Sequence, residues 1–139
     1  MQTGYIIIEH PADLGIEASG ESLVDAFIQA AHGLISIIVD PATIDSISSE
    51  HIHIVADDKE QLLVKWLSEI LYLYDGRKFL SKEFRISLLN ETELKAVASG
   101  EFISESKHKM RMDVKAVTYH QLVVEENMNG GKVRVFLDI

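Results

Sequence analysis

The sequence predicts an α+β fold, with two helices packed on one face of a largely antiparallel, partly mixed sheet of about six to seven strands. Three observations predict it. Two segments carry apolar residues at helical spacing, most of the remaining chain alternates with period two, and the last third reads as strands separated by tight-turn residues. The resulting order is ββαβαββββ.

The first two strands, Tyr5 to Glu9 and Leu14 to Ser19, are short and flank a turn that contains Pro11. Residues 22–38 form the first helix, because Leu23, Phe27, Ala30, Ala31, Leu34, Ile35 and Ile38 fall on one stripe. Ser22 with Asp25 three residues on resembles a capping pair, and Asp40-Pro41 ends the helix, since the residue before proline is driven out of the helical region. Ser46 to Glu50 reads as the most mobile loop. His51 to Val55 alternates, with Ile52 and Ile54 inward and both histidines outward. The second helix, 59–74, presents Leu62, Leu63, Trp66, Leu67, Ile70, Leu71 and Leu73 as a broad apolar face; Asp58 and Gln61 start it and Asp75-Gly76 stop it.

Phe84, Ile86 and Leu88 share a face, as do Leu94, Ala96 and Ala98, with Asn90-Glu91-Thr92 as the hairpin turn between them. Met112 to Val124 is long and apolar on both faces, which predicts a central strand. Asn129-Gly130-Gly131 turns it back into the last strand. With no repeat, low-complexity tract or linker, residues 1–139 read as one domain, large enough for a core without staples.

Composition narrows the function classes. Without cysteine there is no disulfide, thiolate metal site or thiol nucleophile, and the chain suits a reducing compartment. No apolar run approaches the roughly 18 residues of a membrane span, and Met1-Gln2-Thr3-Gly4-Tyr5 does not resemble a signal peptide. The expectation is a cytoplasmic protein without a membrane partner. Net charge is −9, from 22 acidic and 13 basic residues, so strong autonomous nucleic-acid binding through phosphate neutralisation is not expected. The one basic run, Lys107-His108-Lys109-Met110-Arg111, reads as a solvated loop. An acidic surface suits a basic partner or simple solubility.

Three places carry candidate chemistry. The last strand, Val133-Arg134-Val135-Phe136-Leu137-Asp138-Ile139, reads as packed to its end, which sets the Asp138 side chain beside the α-carboxylate of Ile139. Two fixed anionic groups call for a basic side chain or a hard cation, and otherwise for a solvated end. In His10-Pro11-Ala12-Asp13-Leu14-Gly15, Asp13 suits three roles: hard-metal ligand, Asx-turn acceptor or surface charge. His10 most often would be a hydrogen-bonded structural histidine.

In the long strand, period two puts Asp113, Lys115, Val117, Tyr119 and Gln121 on one face and Met112, Val114, Ala116, Thr118, His120 and Leu122 on the other. Lys115 and His120 need partners if buried. Lys115 either meets the Asp13 and Asp138 carboxylates or reaches solvent at the sheet rim. His51 and His53, two apart, read as an incidental pair on an exposed face. The chain contains no P-loop, dinucleotide fingerprint, G-x-S-x-G elbow or zincin helix.

Four segments in order carry a resemblance: His10-Pro11-Ala12-Asp13-Leu14-Gly15, Leu63-Val64-Lys65-Trp66-Leu67-Ser68-Glu69-Ile70-Leu71-Tyr72, Lys115-Ala116-Val117-Thr118-Tyr119-His120, and Leu137-Asp138-Ile139. Through them the chain resembles the archease family from end to end. It departs at Pro11, where the family usually carries threonine, so any role of that hydroxyl is lost here. The resemblance implies a non-catalytic accessory protein of the RtcB-type RNA ligase, which joins tRNA halves after intron removal. It implies promotion of the ligase's guanylylation and multiple turnover, and a broader nucleotide use.

It also implies a divalent cation, calcium or else magnesium, held by Asp13, Asp138 and Ile139, with His10, Lys115 and His120 in support. An all-oxygen donor set suits a hard cation and not zinc. Two other readings stay open at this level. One is an autonomous metal-dependent hydrolase using Asp13 and Asp138 with His10 as base. The other is a general chaperone or modulator of nucleic-acid-processing enzymes.

Overall fold

The computed structural model describes residues 2–139. Its elements follow the predicted order: β1 (Gly4–His10), β2 (Asp13–Gly20), α1 (Leu23–Ile38), β3 (Ser48–Val55), α2 (Lys59–Asp75), β4 (Phe79–Leu89), β5 (Glu93–Phe102), β6 (Ala116–Asn127) and β7 (Gly130–Asp138). Both helix starts use the residues expected of them. Ser22 accepts from the Asp25 N–H, and Asp58 accepts from the Gln61 N–H at 2.8 Å, each relieving one orphan donor of the first turn. Asp40-Pro41 stops α1 and opens a short 3₁₀ turn, Pro41–Thr43.

The seven strands are divided between two sheets, ordered β1-β2-β7-β6 and β3-β5-β4, and every pairing is antiparallel. The division follows from the helices. α1 buries Leu23, Ala26, Phe27, Ala30, Leu34 and Ile37 among others, which is more than one stripe, and a helix apolar on several sides must be covered from several sides. It packs on β1, β2 and β7 of one sheet and on β4 of the other, while α2 packs on β6 and on the three strands of the smaller sheet. The small residue Gly33 brings α1 close to the first sheet, since a Cβ there would lie 2.9 Å from Ile16 Cγ2. Trp66 of α2 is fully buried, and its indole N–H donates to the Phe27 carbonyl of α1 at 2.9 Å.

Three strand readings are corrected. The strand expected from Met112 begins only at Ala116 and is an edge of its sheet; the central strand between β2 and β6 is β7. α2 packs on β6, and apolar residues on both faces of a strand do not distinguish an edge from a centre. Ser48 to Glu50, expected in a mobile loop, pair with Ala98, Ser99 and Gly100 as the start of β3. Burial of the last strand stops at Leu137: Asp138 is exposed although it pairs with Asp13 and Ala116, and Ile139, beyond the last register pair, is exposed as well. Among the described residues no helix is long and apolar enough to cross a membrane.

Candidate functional site

Register brings the first and last motifs together. Asp13 on β2 pairs directly with Asp138 on β7, His10 on β1 pairs with Asp13, and Ala116 on β6 pairs with Asp138. Residues directly opposite in an antiparallel pair share a face, with Cβ atoms roughly 4.5–5.5 Å apart. One row across four strands therefore reads His10, Asp13, Asp138, Ala116. Two carboxylates directly opposed repel each other, and such a pair is destabilising without a counter-charge.

His10 Nδ1 lies 2.7 Å from Asp13 Oδ1. The contact lacks hydrogen-bond geometry, so this oxygen is buried without a hydrogen-bond partner. An anionic oxygen in that condition is costly unless a cation meets it.

Lys115 reaches the row through its backbone, donating its N–H to the Asp138 carbonyl at 2.8 Å. Its side chain is exposed and, among the described residues, forms no ion pair with Asp13 or Asp138. The solvent-reaching alternative for Lys115 is the one adopted. Among the described residues no three His, Cys, Asp or Glu side chains converge as a metal-binding group. A third protein donor beside Asp13 and Asp138 must come from elsewhere, and the main chain at Ile139 adjoins Asp138. The two carboxylates, Asp13 with its orphaned oxygen and Asp138, fit a hard, oxygen-seeking cation.

The next row on the same face is Ile8, Gly15, Phe136 and Thr118. Phe136 lies outside the main core yet is only 4% exposed. His10 and His120 meet its ring in edge-type contacts, with centroids at 5.9 and 5.8 Å. Gly15 lies beneath it; a Cβ there would come within 2.8 Å of Phe136 Cε1.

His120 reaches the ring because β6 bulges. Its pairing with β7 runs to Thr118 opposite Phe136 and resumes at Val123 opposite Arg134, leaving Tyr119 to Leu122 outside the ladder. Gln121 takes φ 49°, an uncommon left-handed conformation for a residue with a side chain, and its carbonyl accepts from Arg134 Nε at 3.3 Å. Phe136 and the bulge were not singled out by sequence reasoning. Their only signal was an aromatic two residues before Asp138 on the same side of the strand.

The segment 103–115 connects β5 to this row and contains the basic run, which is not simply a solvated loop. His108 is fully buried. Its Nδ1 accepts from the Ser104 N–H at 2.9 Å, and its Nε2 lies 3.0 Å from Glu101 Oε2. Lys107 bridges Asp45 and Glu101, at 2.7 Å from each. The Lys107 ammonium, the Asp45 N–H and His108 together hold the Glu101 carboxyl at a pKa of about 2, against an ordinary 4.5. Hydrogen bonds to Asp45 and Glu101 raise Lys107. Further along, the Tyr74 hydroxyl donates to Asp113 at 2.5 Å; burial first, then this carboxylate, pushes Tyr74 up to about 12.

A carboxyl with a depressed folded-state pKa stabilises the protein above its unfolded value, and that contribution is lost as pH falls through the folded one. Glu101 is therefore expected to contribute fully above about 4.5 and to lose its contribution between about 4.5 and 2. Glu101→Gln should lower the melting temperature at pH 7 and flatten the acid limb across that window. Parallel melting curves of variant and parent from pH 7 to 2 would count against this clasp.

A profile of the archease protein family matches residues 5–139. Protein archease of Methanosarcina acetivorans is 36% identical over 139 residues, covering 97% of this chain and 95% of that protein. Protein archease of Sulfolobus acidocaldarius is 35% identical over 138 residues, covering 99% of each. The solution structure of Methanobacterium thermoautotrophicum protein 1598 superposes with a TM-score of 0.84 at 28% identity, covering 99% of this chain and 100% of that one. The crystal structure of a Thermotoga maritima protein described as an archease and possible chaperone shares the fold, with a TM-score of 0.68 at 22% identity, covering 100% of this chain and 98% of that one. With the family profile spanning both carboxylate-bearing strands and relatives matching over nearly their whole length, this chain belongs to the archease family.

Proposed function

We propose that this protein is a cytoplasmic, non-catalytic activator of an RtcB-type RNA ligase, and that Asp13, Asp138 and the Ile139 carboxylate hold the divalent cation it works with. The observation that carries the reading is the Asp13–Asp138 register pair with its orphaned buried oxygen, in a member of the archease family. Calcium suits the donors, and magnesium shares their oxygen preference. When bound, the cation supplies a positive charge able to order phosphate oxygens.

The chain's own residues do the rest. Asp13 and Asp138 fix the site on paired strands, and Lys115 presents a second positive charge from the exposed chain beside Asp138. The row lies at the end of a sheet, accessible to a large partner, where it can meet the ligase's nucleotide pocket. The acidic surface, −9 in net charge, suits a basic, RNA-binding enzyme.

The test is multiple-turnover RNA ligation with and without this protein, under conditions where guanylylation is slow. Addition should raise turnover; unchanged turnover would overturn the reading. Asp138→Asn should abolish most of the activation. An extension after Ile139 should do the same, because it converts the α-carboxylate to a neutral amide carbonyl, whereas an N-terminal extension should be harmless. Nucleotide or phosphoester turnover by the purified protein alone would establish the hydrolase reading instead, and equal stimulation of unrelated nucleic-acid enzymes the general-modulator reading.

Lys115→Ala is expected to remain folded, since the side chain is exposed and only its backbone bonds to the sheet. It should nonetheless activate the ligase poorly. Activation equal to that of the parent, at an unchanged melting temperature, would remove Lys115 from the function.

A further inference from the structure

We propose that Phe136, seated on Gly15, is a positioning residue of the carboxylate row, acting through His10 on Asp13. This rests on the cation-site reading above. Phe136 has no polar atom and is not in the main core, yet it is almost fully covered on the sheet face that carries Asp13 and Asp138. Two otherwise exposed imidazoles lie edge-on to it from opposite sides: His10 on β1, the strand beyond β2, and His120 on the adjacent β6.

An exposed histidine at the end of an edge strand has many rotamers; wedged against a ring it keeps few. With His10 fixed, its Nδ1 stays 2.7 Å from Asp13 Oδ1 as a close charge contact, which limits the rotamers open to that carboxylate in the row it shares with Asp138. Gly15 is required because any side chain there would displace the ring, and the β6 bulge is what carries His120 over it. Three features that look unrelated in sequence thus act as one support for a ligand. Groups that orient a ligand from behind commonly change metal affinity by tenfold or more when removed.

The experiment compares parent, Phe136→Leu, His10→Ala and the double variant by calcium calorimetry, with proton NMR of the imidazoles in calcium-free protein at one pH. In Phe136→Leu the His10 and His120 ring signals should move toward those of free histidine as the ring current is lost. Calcium affinity should fall by about tenfold. His10→Ala should cause a similar loss, and the double variant should bind no more weakly than either single one, because the two lie on one line of action.

Parental affinity in Phe136→Leu, or losses that multiply in the double variant, would overturn the proposal while leaving the cation site standing. A parent protein that binds no calcium would overturn the cation reading and this role with it. Should Phe136→Leu not fold, Phe136→Met carries the same comparison, and His10→Ala, on the exposed edge, tests the link to Asp13 by itself.

Discussion

Replacing Trp66 with alanine is expected to destabilise the protein by about 3–5 kcal/mol, the usual loss for emptying a fully buried indole site. Trp66 is 0% exposed at the seam between the two helices, packs edge-on against Phe84 at 5.8 Å, and bonds to the Phe27 carbonyl. Neither helix can close the gap without leaving its own sheet contacts. Trp66→Phe keeps most of the volume and forfeits the indole N–H, so it should cost less, on the order of 1 kcal/mol for the bond plus some packing. Urea unfolding of the three proteins separates the terms. A loss under about 1.5 kcal/mol for the alanine variant would mean that the helices relax together, contrary to the packing described.

Calcium at a hundredfold over its dissociation constant is expected to stabilise the parent by about 2.7 kcal/mol, as for any ligand that binds only the folded state. Asp13→Asn should gain nothing from calcium. In chelator the same variant should be as stable as the parent or more so, because it removes one of two opposed negative charges, a cross-strand effect of roughly 0.2–1 kcal/mol. The crossing of the two stabilities between chelator and calcium is the diagnostic result. Melting curves in both conditions measure it. An Asp13→Asn protein less stable than the parent in chelator would give Asp13 a structural role in the turn after β1.

Local features were legible in the sequence wherever the physics is local. The two caps, Ser22 with Asp25 and Asp58 with Gln61, each depend on residues three apart, and both formed. The alternation of Ile52 and Ile54 against His51 and His53 placed those four side chains on the right faces. What periodicity cannot report is which strand lies beside which. β6 reads as central because it is apolar on both sides, yet it is an edge strand covered by α2 and folded over Phe136 at its bulge.

That bulge turns at Gln121 without a glycine to announce it. His108 lies in a basic run that reads as solvated, but Glu101 and the Ser104 N–H satisfy both its ring nitrogens and allow burial. The residues of the candidate site were named in the sequence. Their opposition across β2 and β7 is a matter of register between distant segments, and only the assembled sheet contains it.

The pairing of β2 with β7 has a consequence for how the molecule is made. β2 comes near the beginning of the chain and its central partner near the end, so the larger sheet closes a loop containing both helices and the whole smaller sheet. Contacts so distant in sequence are slow to form, because the entropy of closing the loop is spent before they repay it. Until they do, the β1–β2 hairpin, with its Tyr5-Ile6-Ile7-Ile8 run, has two unpaired edges, the kind of surface on which chains aggregate. The smaller sheet, whose strands lie closer together in sequence, has no such delay. Biogenesis of this protein should therefore be most vulnerable in the interval before β7 arrives, and the strand that completes the carboxylate row is also the one that ends that vulnerability.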